Sequence, residues 1–309
     1  MDKAHTLATG TGVVAIIDTG VDFTHSVLRD SLTWGWDFVH NWPLGQEQAD
    51  VNQETTPILD QETTPILDQE TTPILDGGTA VILQQETTPI LDQETTPILD
   101  GKKYPAYGHG TMVAGLIHLV APDAKIMPLR VFGADGSATI SQIVQAIYFA
   151  VDRGADVINM SFSLKQDSRV LEAALDYAAS KGVICVASAG NDGQAIQVWP
   201  AAYSSVIGVA ATNNFRIRSL FSNYGNSLVT LAAPGEGVIT TYPREHYAQV
   251  WGTSFSAPLV AGAASLLLDV DSRTNGAQAV KDLSHATAIG QELGAGELDL
   301  YQACLAARK

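Results

Sequence analysis

Residues 13–22 read VVAIIDTGVD. The apolar run from Val13 to Ile17 is what a strand buried on both faces of a parallel sheet requires. Asp18 stands at the carboxyl end of that run, the side on which open α/β sheets gather their functional residues. Gly20 then lets the chain turn sharply away, since it has no Cβ to clash. The segment therefore predicts an α/β chain with a polar group presented at a strand end.

Three more segments extend the pattern. Residues 107–115, YGHGTMVAG, place His109 between two glycines ahead of an apolar, helix-like run from Met112 to Val120. The run stops at Ala121-Pro122, because the residue before a proline avoids the helical region. Residues 252–258, GTSFSAP, place Ser254 between Gly252 and Pro258, with small and apolar residues continuing to Leu268. Proline is tolerated in a helix's first turn, so Ser254 is predicted to head a helix, where unpaired N–H groups face outward. Residues 183–193, VICVASAGNDG, read as a buried strand turning at Gly190-Asn191. A serine hydroxyl needs a base, and a histidine base needs an orienting carboxylate. Asp18, His109 and Ser254 supply all three.

Their order, Asp then His then Ser, is the order known for subtilisin. From about Thr11 to about Leu300 the chain resembles a subtilisin-like serine peptidase of the subtilase family, interrupted by one large insertion. The resemblance implies a three-layer α/β/α sandwich with a mainly parallel sheet. It makes Ser254 the nucleophile, His109 the base and Asp18 its orienting carboxylate. Asn191 becomes the side-chain donor of the oxyanion hole, beside the backbone N–H of Ser254. In subtilisin itself, loss of such a donor costs roughly 10²–10³ in kcat.

The family holds its polypeptide substrate as an extended strand between two segments, here Gly136-Ser137-Ala138 and Ser161-Phe162-Ser163. Main-chain pairing accepts many sequences, and pockets select side chains. Where the family usually has glycines after Ser161-Phe162, this chain has Ser163-Leu164. Val198 replaces an often small residue at the pocket floor. These side chains narrow the pocket and predict medium apolar P1 groups, with no acidic residue to favour a basic one. A calcium-binding aspartate found in many secreted members is Val27 here, and His118–Pro122 leaves no room for the accompanying loop. No cofactor is expected to be required; the usual high-affinity calcium site is expected to be absent, with weaker calcium sites left open. The remaining histidines (His5, His25, His40, His118, His246, His285) show no metal-like pairing, and His25 is read as structural.

By length the chain could be one large domain or two average ones, and 46% hydrophobic with 16% charged content describes a globular chain with a large core; the resemblance implies a single peptidase domain spanning 1–309. No uninterrupted apolar run reaches membrane-span length, and no signal-type stretch precedes the first strand. The resemblance implies a signal and a propeptide upstream and hence a secreted enzyme, with a cytoplasmic member as the alternative. Cys185 and Cys304 carry no metal or redox spacing and read as buried free thiols.

The formal charge of −16 is concentrated in one place. QETTPILD stands at 53–60, 61–68, 69–76, 85–92 and 93–100, and GGTAVILQ at 77–84 keeps the same length. The five identical copies hold ten of the 33 acidic residues; without them acids outnumber bases 23 to 17. The acidity belongs to the insertion, and no basic cluster supports nucleic-acid binding. Asp18 and His109 lie 91 residues apart; without the 48 repeat residues the spacing is 43, close to what the fold accommodates. Thr-Thr and Ile-Leu favour extended backbone, while each proline confines a unit to edges or turns. The insertion 53–100 reads as an acidic surface loop whose base approaches the cleft, with self-association through its extended segments as a further option.

Peptide hydrolysis through an acyl-enzyme is therefore the expected function. Two rivals stand beside it: a catalytically silent binding protein on the same fold, and an esterase or acyltransferase using the same nucleophile.

Overall fold

The structure is a computed structural model that describes residues 1–47 and 106–308, with the backbone of two short strands between them. Helix α1 (Asp2–His5) precedes β1 (Val13–Asp18), β2 (Trp36–Asp37) and β3 (Trp42–Pro43). The two intervening strands are β4 (Ala80–Ile82) and β5 (Glu86–Pro89). Then come α2 (His109–Val120), β6 (Lys125–Arg130), β7 (Ser137–Thr139), α3 (Ile140–Asp152), β8 (Val157–Met160), α4 (Arg169–Ser180) and β9 (Ile184–Ser188). The chain continues through β10 (Val206–Thr212), β11 (Leu231–Pro234), β12 (Glu236–Tyr242), β13 (His246–Trp251), α5 (Thr253–Val270), α6 (Gly276–Leu283) and α7 (Leu300–Ala307). The rest of the octapeptide array, and its reading as a self-associating segment, lies outside the described residues.

Eight strands form the main sheet in the order β11-β10-β9-β8-β1-β6-β2-β3. Every neighbouring pair is parallel except β2 with β3. Strand β1 pairs β6 on one side and β8 on the other, so the order reverses around it. Such a reversal opens a crevice at the carboxyl ends of the strands. Asp18, the last residue of β1, stands at that crevice.

The alternation of β1 explains the three layers. Val14 and Ile16 belong to a core shared with residues of α2, α5, α6 and α7. Ala15 and Ile17 belong to the opposite core, shared with α3 and α4. All four are fully buried, as a strand covered by helices on both faces demands. The outer helices show deliberate starts. Thr139 and Gln142 make a reciprocal capping box on α3, and Ser168 caps α4.

Helix α5 departs from the composition-based expectation. Thr253–Val270 is 18 residues long with mean hydropathy 1.4, enough by length and composition to cross a membrane. Its sequence escapes a search for uninterrupted apolar runs because serines and a proline punctuate it. Within the fold 89% of it is buried, so its apolar sides are covered by the protein core. Both cysteines are free and buried, and burial pushes the Cys185 thiol up to about 12 and the Cys304 thiol up to about 11.

Helix α2 packs closely against both α5 and β12, and one glycine permits each contact. A Cβ at Gly262 would lie 2.7 Å from Val120 Cβ, and one at Gly115 would lie 2.2 Å from Thr241 Oγ1. Adding even a methyl group at such a contact forces backbone shifts. Gly262→Ala is expected to lower stability by about 1–3 kcal/mol. A thermal melt superimposable on the parent's would show that the helices separate without cost.

Candidate active site

Asp18, His109 and Ser254 come together at the crevice. His109 opens α2, and its Nδ1 lies 2.8 Å from Asp18 Oδ1. Both side chains are fully buried, so Asp18 faces the imidazole in a low-dielectric setting. Asp18 Oδ1 also accepts the Thr19 N–H at 2.7 Å, which fixes the carboxylate plane. The Phe255 ring stands 5.5 Å from the His109 ring and packs against it.

Two glycines make this approach sterically allowed. Gly20 has φ +98°, and a Cβ there would meet Gly45 O at 2.7 Å. A Cβ at Gly110 would lie 2.0 Å from Gly20 O. The Asp-Thr-Gly turn and the Gly-His-Gly helix start therefore touch backbone to backbone.

Ser254 lies in the first turn of α5, as the sequence predicts, and is 4% exposed. Its Oγ donates to Ser161 O at 3.2 Å, while His109 Nε2 has no hydrogen-bond partner among the described residues. The serine–histidine hydrogen bond is thus not formed here. A hydroxyl has one proton, and the Ser161 carbonyl takes it. Catalytic contacts in free enzymes are commonly long and tighten only with substrate.

Asn191 is oriented by the same helix start. Its Oδ1 accepts the Thr253 N–H and the Thr253 hydroxyl, both at 2.9 Å. With the oxygen so fixed, the Asn191 NH₂ group is turned toward Gly252: a Cβ built there would lie 3.6 Å from Nδ2. Asn223 braces the loop from behind, donating to Ala189 O and accepting from the Asp192 and Gln194 N–H groups. Thr253, Phe255 and Asn223 were not singled out from sequence. Thr253 and Phe255 lie inside the GTSFSAP segment, but their roles depend on partners 62 and more residues away.

A recess of about 10 Å³ opens beside Ser254, lined by Ser161, Phe162, Ser163, Ser188, Gly190, Asn191 and Thr253. That volume admits little more than a water molecule. Ser161, Phe162 and Ser163 line it. Val198 does not line it; it is buried, and a Cβ on Gly190 would stand 3.4 Å from its Cγ2, so it backs the wall from behind. Gly136, Ser137 and Ala138 lie apart from the recess, at and beside β7. They are tied to the crevice through the preceding residues. The N–H groups of Val131 and Phe132 both donate to Asp18 O, and Phe132 packs on Phe162 at 5.2 Å.

Three of the remaining histidines are occupied elsewhere. His25 is fully buried and its Nε2 lies 3.2 Å from His246 O, in keeping with a structural role. His5 contacts Val120 O and His118 contacts Ser31 Oγ.

The likeness to known proteins follows the same residues. The subtilase family (Peptidase_S8) matches residues 10–302. Thermitase of Thermoactinomyces vulgaris is 33% identical over 276 residues, covering 86% of this chain and 78% of its own length. A thermophilic serine proteinase of Bacillus sp. (strain AK1) is 34% identical over 254 residues, covering 82% of this chain; the chain spans about half of that relative, 51%. A solved protease structure from Pseudoalteromonas arctica superposes with a TM-score of 0.74 at 26% identity, covering 99% of this chain and 93% of that one. The parallel sheet, the Asp18–His109 contact and a match running along nearly the whole sequence agree, and the chain belongs to the subtilase family.

Proposed function

We propose that the chain is a serine endopeptidase that cleaves peptide bonds through an acyl-enzyme on Ser254. The observation that carries this reading is the buried 2.8 Å contact between Asp18 and His109, with Ser254 held at the neighbouring helix start. Ser254 Oγ attacks the scissile carbonyl carbon while its proton passes to His109 Nε2. Asp18 stays ionised and stabilises the imidazolium. The oxyanion is held by Asn191 Nδ2 and the Ser254 N–H. His109 then gives its proton to the departing amine, and a water repeats the sequence to release the acid. No step calls on a metal or cofactor. On the same resemblance the enzyme acts outside the cell, matured from a precursor with a propeptide.

Ser254→Ala is expected to reduce turnover to the remnant left by binding and oxyanion stabilisation, roughly 10³–10⁴ over water as known for subtilisin. Labelling by a serine-directed fluorophosphonate should vanish with it. Parent-level peptidase activity in that variant sinks the assignment; labelling with ester turnover but no peptide turnover favours the esterase reading.

The free recess must widen for any P1 side chain, and Ser163 in its wall with Val198 behind it limits that widening, which favours medium apolar groups over large ones. Val198→Gly should move preference toward large P1 groups by about 1–3 kcal/mol per pocket-filling change. A parent profile led by arginine or tyrosine overturns this.

Gly136-Ser137-Ala138 is read as one flank of an extended substrate, and Ser161-Phe162-Ser163 as the other. Ser137 is already engaged in its turn: its N–H donates to Asp135 Oδ1 and its C=O accepts the Gly133 N–H, both at 3.0 Å. Outward pairing therefore falls to Ala138. That edge carries β4, antiparallel, with Val81 opposite Ala138 and Ile82 opposite Ser137. A substrate strand and β4 compete for the same main-chain groups. The strand comes from GGTAVILQ, the one unit that breaks the repeat. Excising residues 53–100 and joining Asn52 to Gly101 should leave a folded enzyme with kcat on a short chromogenic peptide within roughly tenfold, about 1.4 kcal/mol in barrier. Its KM should fall. A KM that rises or stays at the parent value argues against competition at this edge.

A further inference from the structure

One buried carboxylate stands next to the catalytic groups without taking part in the scheme above. Glu47 is 2% exposed. Its Oε1 accepts the Thr19 hydroxyl at 2.5 Å and the Gly108 N–H at 2.6 Å, and its Oε2 accepts the Thr111 hydroxyl. Thr19 follows Asp18 directly, and Gly108 and Thr111 bracket His109. Two further bonds lock the same knot: the Gly110 N–H donates to Thr19 Oγ1 at 3.0 Å, and the Asp22 N–H to Thr111 Oγ1 at 2.9 Å. The Glu47 backbone itself donates to Val21 O at 3.3 Å.

Three donors from two segments thus converge on two oxygens. Hydrogen bonds to a charged group are the strong ones, and a buried carboxylate without partners is costly, so this geometry is tightly determined. Thr19 and Thr111 also link the two segments directly, and Glu47 is a third group, from outside both, that bonds to each of them. We propose that Glu47 is a positioning residue: its carboxylate holds the Asp18–Thr19 turn against the start of α2 and so sets the Asp18–His109 contact on which proton transfer depends. The inference rests on the triad reading above.

The electrostatic setting works against the charged form, and the three donors offset part of that. Burial raises the Glu47 carboxyl to about 7, and the charge of Asp18 adds to this, opposed by the bonds from Thr111, Thr19 and Gly108. The other ionisable groups around the knot are His109 and Asp22 on the turn and helix start, and Tyr107, Tyr242 and Arg244 behind them; the two phenols are raised by burial first and by the Glu47 charge second. The sign for stability follows from the raised value. Between about 4.5 and 7 the folded chain keeps a proton that the unfolded chain has lost, so this group's contribution is fully present below 4.5 and declines as pH rises to about 7.

The test uses the full chain with Glu47→Gln and Glu47→Ala, assayed on a short chromogenic peptide across pH. A positioning role predicts a fall in kcat of at least tenfold for the alanine variant with KM within about twofold, since only an interaction made in the transition state is weakened. The glutamine variant should fall less, shift the acid limb of the kcat/KM profile and lose less stability than the parent between about pH 4.5 and 7. The low-field Nδ1–H resonance of His109 should move or broaden in both. A folded variant pair with parent-like kcat, profile and resonance overturns the proposal and leaves Glu47 a fold-stabilising group only. If the alanine variant does not fold, the glutamine variant decides by the same profile and resonance. Ser254→Ala run in parallel separates the two readings: activity retained there defeats the triad, whereas activity lost there with parent-like Glu47 variants defeats only the positioning role.

Discussion

The close approach of α2 to α5 is the constraint on which the rest of the molecule depends. His109 begins one helix and Ser254 sits in the first turn of the other, so their separation is set by how tightly the two helices pack. Gly262 supplies that tightness, because a Cβ there would lie 2.7 Å from Val120 Cβ on the facing helix. The parallel sheet contributes the third member, since the reversal of strand order around β1 opens the crevice where Asp18 ends its strand. The grouping of Asp18, His109 and Ser254 is thus a product of backbone packing, with the side chains occupying places already fixed.

That dependence explains why the site's outer layer is so polar. Glu47, Thr19, Thr111, Thr253 and Asn223 are buried or half-buried groups whose partners are mainly backbone N–H and C=O at helix starts and turns. Such backbone groups are left unpaired by the secondary structure and must be satisfied by something. Here side chains from distant segments do so, and in the process they tie the segments bearing Asp18, His109 and Ser254 to one another.

Much of this was legible from sequence, and the limits have a physical pattern. The strand before Asp18, the helix after Ser254 and the buried strand before Asn191 all follow from local runs of apolar residues, and the structure has them. The helix at His109 starts at the histidine itself, three residues before the apolar run, because Gly108, with φ +90°, serves as its cap. Glu47 carried no signal: it lies 28 residues from Thr19 and 61 from Gly108, and nothing local distinguishes it from the other acids nearby. The free rotamer of Ser254 was equally invisible, since a hydroxyl's choice between Ser161 O and His109 is settled by a single torsion. Within the insertion, the proline rule did point the right way. Strand β5 lies at the outer edge of the β12–β13 hairpin, with Pro89 at its final paired position.

The two ends of the segment that contains the octapeptide array are anchored. Glu47 is held by its four hydrogen bonds on one side, and the Ala106 N–H donates to Ala134 O at 3.0 Å on the other. With the ends pinned, the chain between them can change length without moving either. Loop-closure entropy grows only logarithmically with chain length, so eight more residues in a span of about 60 add roughly 0.1 kcal/mol. Copy number in the array is therefore close to invisible to selection on folding. Replication slippage can add or delete units while the hydrolytic machinery stays in register, and lineages of this gene can be expected to differ in array length long before they differ in the residues around Ser254.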